Sequence, residues 1–248
     1  MPSFALSSAP VTGRSAGLAL WLTLSIIVQG ICDLMIRPLV LLAALLALSG
    51  CYSLSSTKVA ESMRPDSQSG VAYVVGVVGI WPKAVHTANE QMLLIRPRGG
   101  DGFASARLYN QIYGRTPRDV RETWHGIGSL FVMPLKPGRY EIYNLHFDRG
   151  NATAWSREDF SIPLELEAGK AYYLGDFRAG CLSASGAKCV FLHSDHLERD
   201  AALVRAKYPQ VPDLQRVDLE KMEEVTSLIV REQGPKASML KAMLSGDL

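Results

Sequence analysis

The sequence predicts a mainly β protein, with an antiparallel β-sandwich over residues 71–193 followed by C-terminal α-helices. Short apolar stretches of strand length alternate with regular turn signals, a pattern typical of sandwiches. Residues 71–80 are almost all apolar and rich in valine, as expected of a strand covered on both faces. Residues 160–167 alternate between apolar and polar side chains, and Pro163 favours an edge strand, because proline cannot donate to a neighbouring strand.

Further strands are predicted before and after the middle of the sandwich. Residues 90–97 form the second predicted strand, and residues 103–110, after a glycine-rich turn, form a weaker third strand. Pro137-Gly138 suits the corners of a type II turn, because proline fixes the first φ and glycine accepts the positive second φ. The sequence therefore predicts a hairpin with residues 139–147 as its return strand.

The return strand of this hairpin changes its alternation partway along. Tyr140 and Ile142 fall on one face of a regular strand, whereas Leu145 and Phe147 fall on the other. This change of phase indicates a β-bulge near Asn144. Two later strands are also predicted, at residues 171–177 and 189–193.

The segment after the sandwich is predicted to be helical, with residues 194–233 packed on the sandwich and residues 234–248 forming a tail. Asp195, with Glu198 three residues later, is an N-terminal capping pattern. Asp218 begins a second predicted helix. Its apolar side chains recur at helical spacing and form one stripe: Leu219, Met222, Val225 and Ile229.

Residues 35–50 have the layout of a cleaved export signal. Arg37 provides a basic start, residues 39–48 are apolar, and small residues precede Cys51. The tetrapeptide Leu-Ser-Gly-Cys at residues 48–51 resembles a bacterial lipobox. This resemblance implies cleavage before Cys51 and acylation of its sulfur, so that the mature protein is held on a membrane by lipid.

The segments before and after this signal, residues 1–34 and 51–70, have no specific motif and are interpreted from their composition. Residues 1–34 are interpreted as an upstream extension or a non-native start. The alternative is a real first helix, but its apolar run falls short of the roughly 20 residues that a bilayer span needs. Residues 51–70 are polar and serine-rich, which predicts a flexible tether. By resemblance to lipoprotein sorting in enteric bacteria, Tyr52 in place of an aspartate after the acylated cysteine implies release to the outer membrane, facing the periplasm.

The net charge bears on the possible partners, and the cysteine content bears on disulfide formation. The formal net charge of +2 is too small to indicate binding to nucleic acid. Cys181 and Cys189 are the two cysteines left in the exported domain, and an oxidising compartment favours a disulfide between them. A catalytic dithiol would more often have Cys-x-x-Cys spacing.

Two segments carry a family resemblance. LKPGRYEIYNLHF (residues 135–147) and IPLELEAGKAYYLGDF (residues 162–177) resemble uncharacterised bacterial lipoproteins with a transthyretin-like or carboxypeptidase-regulatory-like β-sandwich. The resemblance covers roughly residues 71–192 and implies an immunoglobulin-like or prealbumin-like fold. It consists of turn and core residues, so no catalytic residues are carried over from it.

Two places in the sequence have side chains suited to chemistry. His193 and His196, with Asp195 between them, could bind a transition metal in an envelope hydrolase or metal-binding enzyme. The spacing is weak support for this alternative, because Asp195 already has a capping role. No nucleophile elbow and no phosphate-binding glycine loop is present in the sequence.

A binding role is favoured instead. Trp124 and Trp155 fall in predicted loops, where an indole could stack on a sugar ring or fill a partner's pocket. The alternative is that each tryptophan only covers an end of the sandwich. Arg121 lies close to Trp124 in sequence. Arg115 and Arg118 extend a series that could meet anionic glycan or lipid groups. We therefore expect a non-enzymatic binding or scaffolding protein whose partner is another envelope protein or a glycan, with no cofactor and no metal.

Overall fold

The structure of the protein is a computed structural model. It describes residues 53–111, 114–123, 126–150, 153–156, 158–183, 188–219 and 222–248, of which residues 154 and 155 are described by their backbone alone. All of these residues belong to one compact unit, Cys51–Leu248. None of the helices within the described ranges combines the length and the apolar content that crossing a bilayer requires.

The described chain is mainly β, with a few helices towards its C-terminal end. The strands are β1 (Thr57–Val59), β2 (Ala72–Ile80), β3 (Glu90–Pro97), β4 (Ala104–Gln111), β5 (Gly114–Arg115), β6 (Val120–Arg121), β7 (Ile127–Leu135), β8 (Gly138–Asp148), β9 (Thr153–Trp155), β10 (Ile162–Leu166), β11 (Ala171–Cys181), β12 (Cys189–Ser194), β13 (Leu214–Arg216) and β14 (Ile229–Arg231). The α-helices are α1 (Leu197–Lys207), α2 (Met222–Val225) and α3 (Ala237–Ser245), and a 3₁₀ turn spans Glu61–Met63.

The strands form two sheets that enclose the main core. The first sheet has the order β1-β4-β3-β8-β10, with β5 on β4 and β9 on β8. The second sheet has the order β14-β12-β11-β2-β7-β6, with β13 on β11. Apolar side chains of both sheets meet in one buried cluster, in which Phe147 of the first sheet lies 4.9 Å, between ring centroids, from Phe191 of the second. The architecture is therefore sandwich-like.

The outer face of the second sheet is also covered. Val75 and Val77 of β2 lie in a buried cluster with Val204 of α1. Near the other end of the sheet, Leu244 of α3 lies in a cluster with Trp81 and Leu192. This arrangement confirms the prediction that residues 71–80 form a strand covered on both faces, and it explains why polar side chains are excluded from β2.

Two features of the predicted topology are wrong. The sequence predicted a hairpin at Pro137-Gly138, but β7 lies in the second sheet and β8 in the first, so this turn carries the chain across the core. The sequence also predicted antiparallel pairing throughout, whereas β11 pairs in parallel with both β2 and β13, and β12 pairs in parallel with β14. The second sheet is thus mixed.

The finer strand predictions for the first sheet are confirmed. The pairing of β3 with β8 shifts between Leu94 and Ile95, so that Tyr143 is the extra residue of a bulge beside Asn144. The bulge lets Ile142 and Leu145 both point into the core, where each is fully buried. In β10, at the edge of the sheet, Ile162, Leu164 and Leu166 are buried and Pro163 and Glu165 are exposed.

The predicted tether is folded over part of its length. Within residues 51–70, β1 pairs with β4, and Met63 is buried in the main core. Backbone hydrogen bonds of Ser56 and Ala60 to β4 and its preceding turn, together with buried Met63, hold this segment on the first sheet. The prediction of a flexible tether is therefore wrong for residues 57–63.

The C-terminal segment departs from the predicted helices. Among the described residues of the predicted stripe from Leu219 to Ile229, the helix is the short α2, and the chain then enters β14 beside β12. The free edge of β12 supplies backbone partners, and Ile229 becomes fully buried there. The predicted tail, residues 234–248, contains α3, whose Ala237 and Leu244 are buried.

The predicted disulfide between Cys181 and Cys189 is present, and it joins paired positions of β11 and β12. Both cysteines are buried, at 1% and 2% exposure. Replacing both by alanine is expected to lower the free energy of unfolding by roughly 2–3 kcal/mol, because the bridge restricts the unfolded chain. Urea unfolding of the variant, compared with the wild type under reducing and oxidising conditions, measures this. An unchanged midpoint in the variant would show that strand pairing alone holds this region.

Candidate functional site

A cleft of about 560 Å³ lies where the end of β2 meets the start of β7. Arg115, Arg118 and Arg121 line it, and we call it the arginine cleft. Its apolar lining residues include Trp81 and Pro82. The volume falls within the range of about 300–1,000 Å³ that is usual for small-ligand sites.

Strand pairing holds the backbone of two of the three arginines at separate points. Arg115 in β5 pairs with Asn110 of β4, and Arg121 in β6 pairs with Ile127 of β7. Arg118 lies between the two strands and donates a hydrogen bond from its guanidinium to the side-chain oxygen of Asn110. The arginines are therefore drawn from both sheets into one cleft.

The segment between Arg115 and Arg121 is anchored by buried polar side chains. The backbone N–H of Thr116 donates to the carbonyl oxygen of Tyr109 (3.2 Å), and the Thr116 hydroxyl accepts from the backbone N–H of Tyr109 (3.2 Å). Asp119 accepts a 2.7 Å hydrogen bond from the backbone N–H of Leu130 and forms an ion pair with Lys207. These contacts fix the backbone that carries the arginines, so the site is built before any ligand arrives.

The arginines of the cleft have few partners of opposite charge. Within the described ranges, no carboxylate lies within 4.0 Å of the guanidinium groups of Arg115, Arg118 or Arg121. Burial lowers the pKa of Arg118, and the charges of Arg115 and Arg121 lower it further. The Nε atom of Arg118 is buried and has no acceptor among these residues. The cleft therefore holds positive charge that the described part of the chain does not neutralise.

Glu122 connects the cleft to a buried network of charges. Its carboxylate accepts hydrogen bonds from Arg178 (3.0 Å) and Arg199 (3.1 Å), and its own backbone N–H donates to the carbonyl oxygen of Gly126 (2.7 Å). Glu122 thus holds the β6–β7 connection, and its two acceptor contacts are made with Arg178 of β11 and Arg199 of α1, not with the three arginines of the cleft.

The centre of the network is Asp176, which is fully buried. Arg178 donates to it at 2.6 and 2.8 Å, and Arg199 donates at 2.6 Å. Arg199 also bonds Asp200, which accepts a 2.6 Å hydrogen bond from the hydroxyl of Tyr173. Burial raises the pKa of Asp200 and of Tyr173, and the neighbouring Asp200 raises that of Tyr173 further.

Only some of the predicted binding residues are among the residues that the structure describes. Arg121 lies in the arginine cleft, while Trp124 lies outside the described residues, although Glu122 and Gly126 on either side of residues 123–125 both line the cleft. The backbone of Trp155 belongs to β9 of the first sheet, and its side chain lies outside the described part. Cys51, the predicted lipidation site, also lies outside the described residues.

The alternative site around His193 lies at a second cavity of about 430 Å³. The Nε2 atom of His193 is hydrogen-bonded to the carbonyl oxygen of Leu174 (2.8 Å), and burial lowers the pKa of its ring. Asp195 accepts from the backbone N–H of Leu197 (3.0 Å) and pairs with Arg216 (2.6 Å). His196 is the N-cap of α1 and does not line the cavity. Across the described ranges, no three possible metal ligands lie together.

Sequence reasoning missed the buried charge network. Asp176 and Arg178 are the only charged residues of β11, in the otherwise apolar and glycine-containing sequence AYYLGDFRAGC. Two opposite charges in a strand of this kind indicate a buried pair, because a lone buried charge is too costly. Arg199 and Asp200 gave no comparable signal, since charges on a surface helix are ordinary.

The chain matches no protein-family model, and no curated protein and no solved structure was found to be similar to it. The fold and the site therefore define its class by themselves. It is a mainly β, two-sheet protein with a polar cleft that is lined by arginines.

Proposed function

We propose that the chain is a lipid-anchored protein of the cell envelope, facing the periplasm at the outer membrane, which binds another envelope component without catalysis. The observation that carries the binding role is the arginine cleft. The anchor rests on the sequence of residues 48–51. The partner is an envelope protein or a glycan, and the segment with Trp124 is proposed to contribute to its binding.

The construction of the cleft supports binding over a purely spacing role. Charged side chains that only solubilise a surface are usually spread out and free to move. Here three arginines converge on one concave site, and Asp119 and Thr116 fix the backbone that carries them. Such pre-organisation reduces the entropy that is lost when a ligand is bound.

We also propose the finer fold type, an immunoglobulin-like or prealbumin-like sandwich, as the transthyretin-like resemblance implies. The two enclosing sheets support this assignment. The parallel pairing of β2 with β11 is a departure from the all-antiparallel pattern. The C-terminal elements on the second sheet are then an addition to the sandwich.

Intact mass and in-cell crosslinking of the membrane-extracted protein test the proposal together. A mass that corresponds to an acylated chain beginning at Cys51 is expected, with one reproducible crosslinked neighbour. The triple variant R115Q/R118Q/R121Q is expected to lose that neighbour. Its matched control is R64Q/R139Q/R205Q, which removes the same charge from exposed arginines outside the cleft.

Each part of the proposal has its own contrary outcome. An unprocessed chain beginning at Met1 would overturn the lipid anchor. A crosslinked neighbour that persists in the cleft variant would overturn the cleft as the binding site. Equal loss in both triple variants would assign the effect to net charge instead of the cleft.

The alternative function, an envelope hydrolase or metal-binding enzyme that uses the region from His193 to His196, has weaker support. The Nε2 atom of His193 and both carboxylate oxygens of Asp195 are engaged in contacts that hold the fold. Metal bound by the purified protein, and lost on His196→Ala, would favour this alternative.

A further inference from the structure

The arginine cleft lies beside the point at which the described chain begins. Ser53 forms a parallel bridge with Arg115, and the backbone N–H of Leu54 donates to the carbonyl oxygen of Arg115 (2.9 Å). Two peptide units separate Ser53 from Cys51, and an extended chain covers only about 7 Å over that distance. The proposed site of acylation is therefore separated by at most about 7 Å of chain from Ser53, the residue that is bridged to Arg115 of the cleft.

The charge of the cleft and its network favours a ligand with more than one negative charge. In the network, the carboxylates of Glu122, Asp176 and Asp200 exceed the guanidinium groups of Arg178 and Arg199 by one. Against this single excess, Arg115, Arg118 and Arg121 contribute three positive charges. The site as described thus lacks about two negative charges, which a carboxylate alone would not supply.

Arginine is suited to phosphate by its geometry as well as its charge. The guanidinium group presents N–H donors in a planar fork that can bond two phosphate oxygens at once. Arg115 and Arg121 are exposed and lie in different strands, whereas Arg118 is half-buried and its Nε donor has no acceptor among the described residues. Three forks around one cleft can surround a tetrahedral group.

We propose that the arginine cleft binds a phosphate group, and that the source of this phosphate is the headgroup of a lipid in the membrane that carries the anchor. At the cleft, this lipid takes the place of the protein or glycan proposed above as the partner. The choice of source rests on the proposed lipid anchor, because it depends on Cys51 lying at the membrane. The chemistry of the ligand does not depend on the anchor. It follows from the arginines, their missing counter-charge and the shape of the cleft.

The experiment uses the full chain, purified in a non-ionic detergent. Its first arm is calorimetric titration with pyrophosphate, and its second arm is native mass spectrometry from micelles that contain phosphatidylglycerol. The wild type is expected to bind pyrophosphate at least tenfold more tightly than R115Q/R118Q/R121Q and to retain phosphatidylglycerol that this variant loses. The control R64Q/R139Q/R205Q is expected to stay within twofold of the wild type. The single variant Arg121→Gln, at an exposed position, is expected to weaken pyrophosphate binding by at least threefold.

The two arms separate the possible outcomes. Pyrophosphate binding that is equal in the wild type and both cleft variants would overturn the proposal. Binding of pyrophosphate through the cleft, without retained phosphatidylglycerol, would support the phosphate chemistry and overturn the lipid source. A chain that is not acylated, but binds pyrophosphate through the cleft, would overturn the anchor in the proposed function and leave the phosphate site standing.

Discussion

Replacement of Arg178 by methionine is expected to lower the free energy of unfolding by about 3–5 kcal/mol, because it leaves a buried charge without its main partner. Asp176 is fully buried, and Arg178 supplies two of its hydrogen bonds. The remaining bond from Arg199 comes from a side chain that is partly exposed. Urea unfolding of the variant, followed by circular dichroism, measures the loss.

A double variant distinguishes the buried charge from lost packing. Asp176→Asn in the Arg178→Met background removes the buried charge that has lost its main partner, so part of the lost stability is expected to return. Arg205→Met is the matched control, because Arg205 is exposed on α1 and bonds only the carbonyl oxygen of Ala201 in its own helix. Equal losses in the single and double variants would mean that packing, and not charge, makes Arg178 important.

The network also has a consequence for binding. Arg178 and Arg199 together hold Glu122, and Glu122 closes the β6–β7 connection through its hydrogen bond with Gly126. The same contacts that stabilise the second sheet therefore position the strand that carries Arg121. A destabilised network is therefore expected to disturb the cleft, since Glu122 would lose contacts that hold it.

Local patterns predicted local structure well. The alternation in residues 160–167 gave β10 with the correct buried face, and the phase change in β8 gave the bulge beside Asn144. In both cases the side-chain period of a strand is enough to tell which face is buried. The apolar sequence of β2 likewise predicted two covered faces, although it did not show which elements cover them.

Pairing between distant segments could not be predicted in the same way. Ile229 fits a helical stripe as well as a strand, and its pairing with β12 decides between the two. For the candidate site, the series Arg115, Arg118 and Arg121 was visible in the sequence, but its closure against Trp81 and Asn110 required the fold. The bridge between Arg115 and Ser53 also joins residues that are distant in sequence, so it could not be predicted from a local pattern.

Gly175→Ala is expected to lower the free energy of unfolding by about 3 kcal/mol or more, because the substitution adds both backbone strain and a collision. Gly175 lies in the irregular stretch of β11 between Tyr173 and Asp176, with φ of 107°. A Cβ atom there would lie 2.2 Å from Nε2 of His193, which is closer than any real contact. The ring would have to move and lose its 2.8 Å hydrogen bond to the carbonyl oxygen of Leu174.

Gly169→Ala is the matched control for this prediction. Gly169 also has a positive φ, of 76°, but an added Cβ atom would meet nothing within 4 Å. Its loss should therefore be about 1–2 kcal/mol, from backbone strain alone. In the His193→Ala background the collision is absent, so Gly175→Ala should cost little more there than Gly169→Ala does in the wild type. If Gly175→Ala proves as mild as Gly169→Ala in the wild type, His193 moves freely and its bond to Leu174 contributes little to the fold.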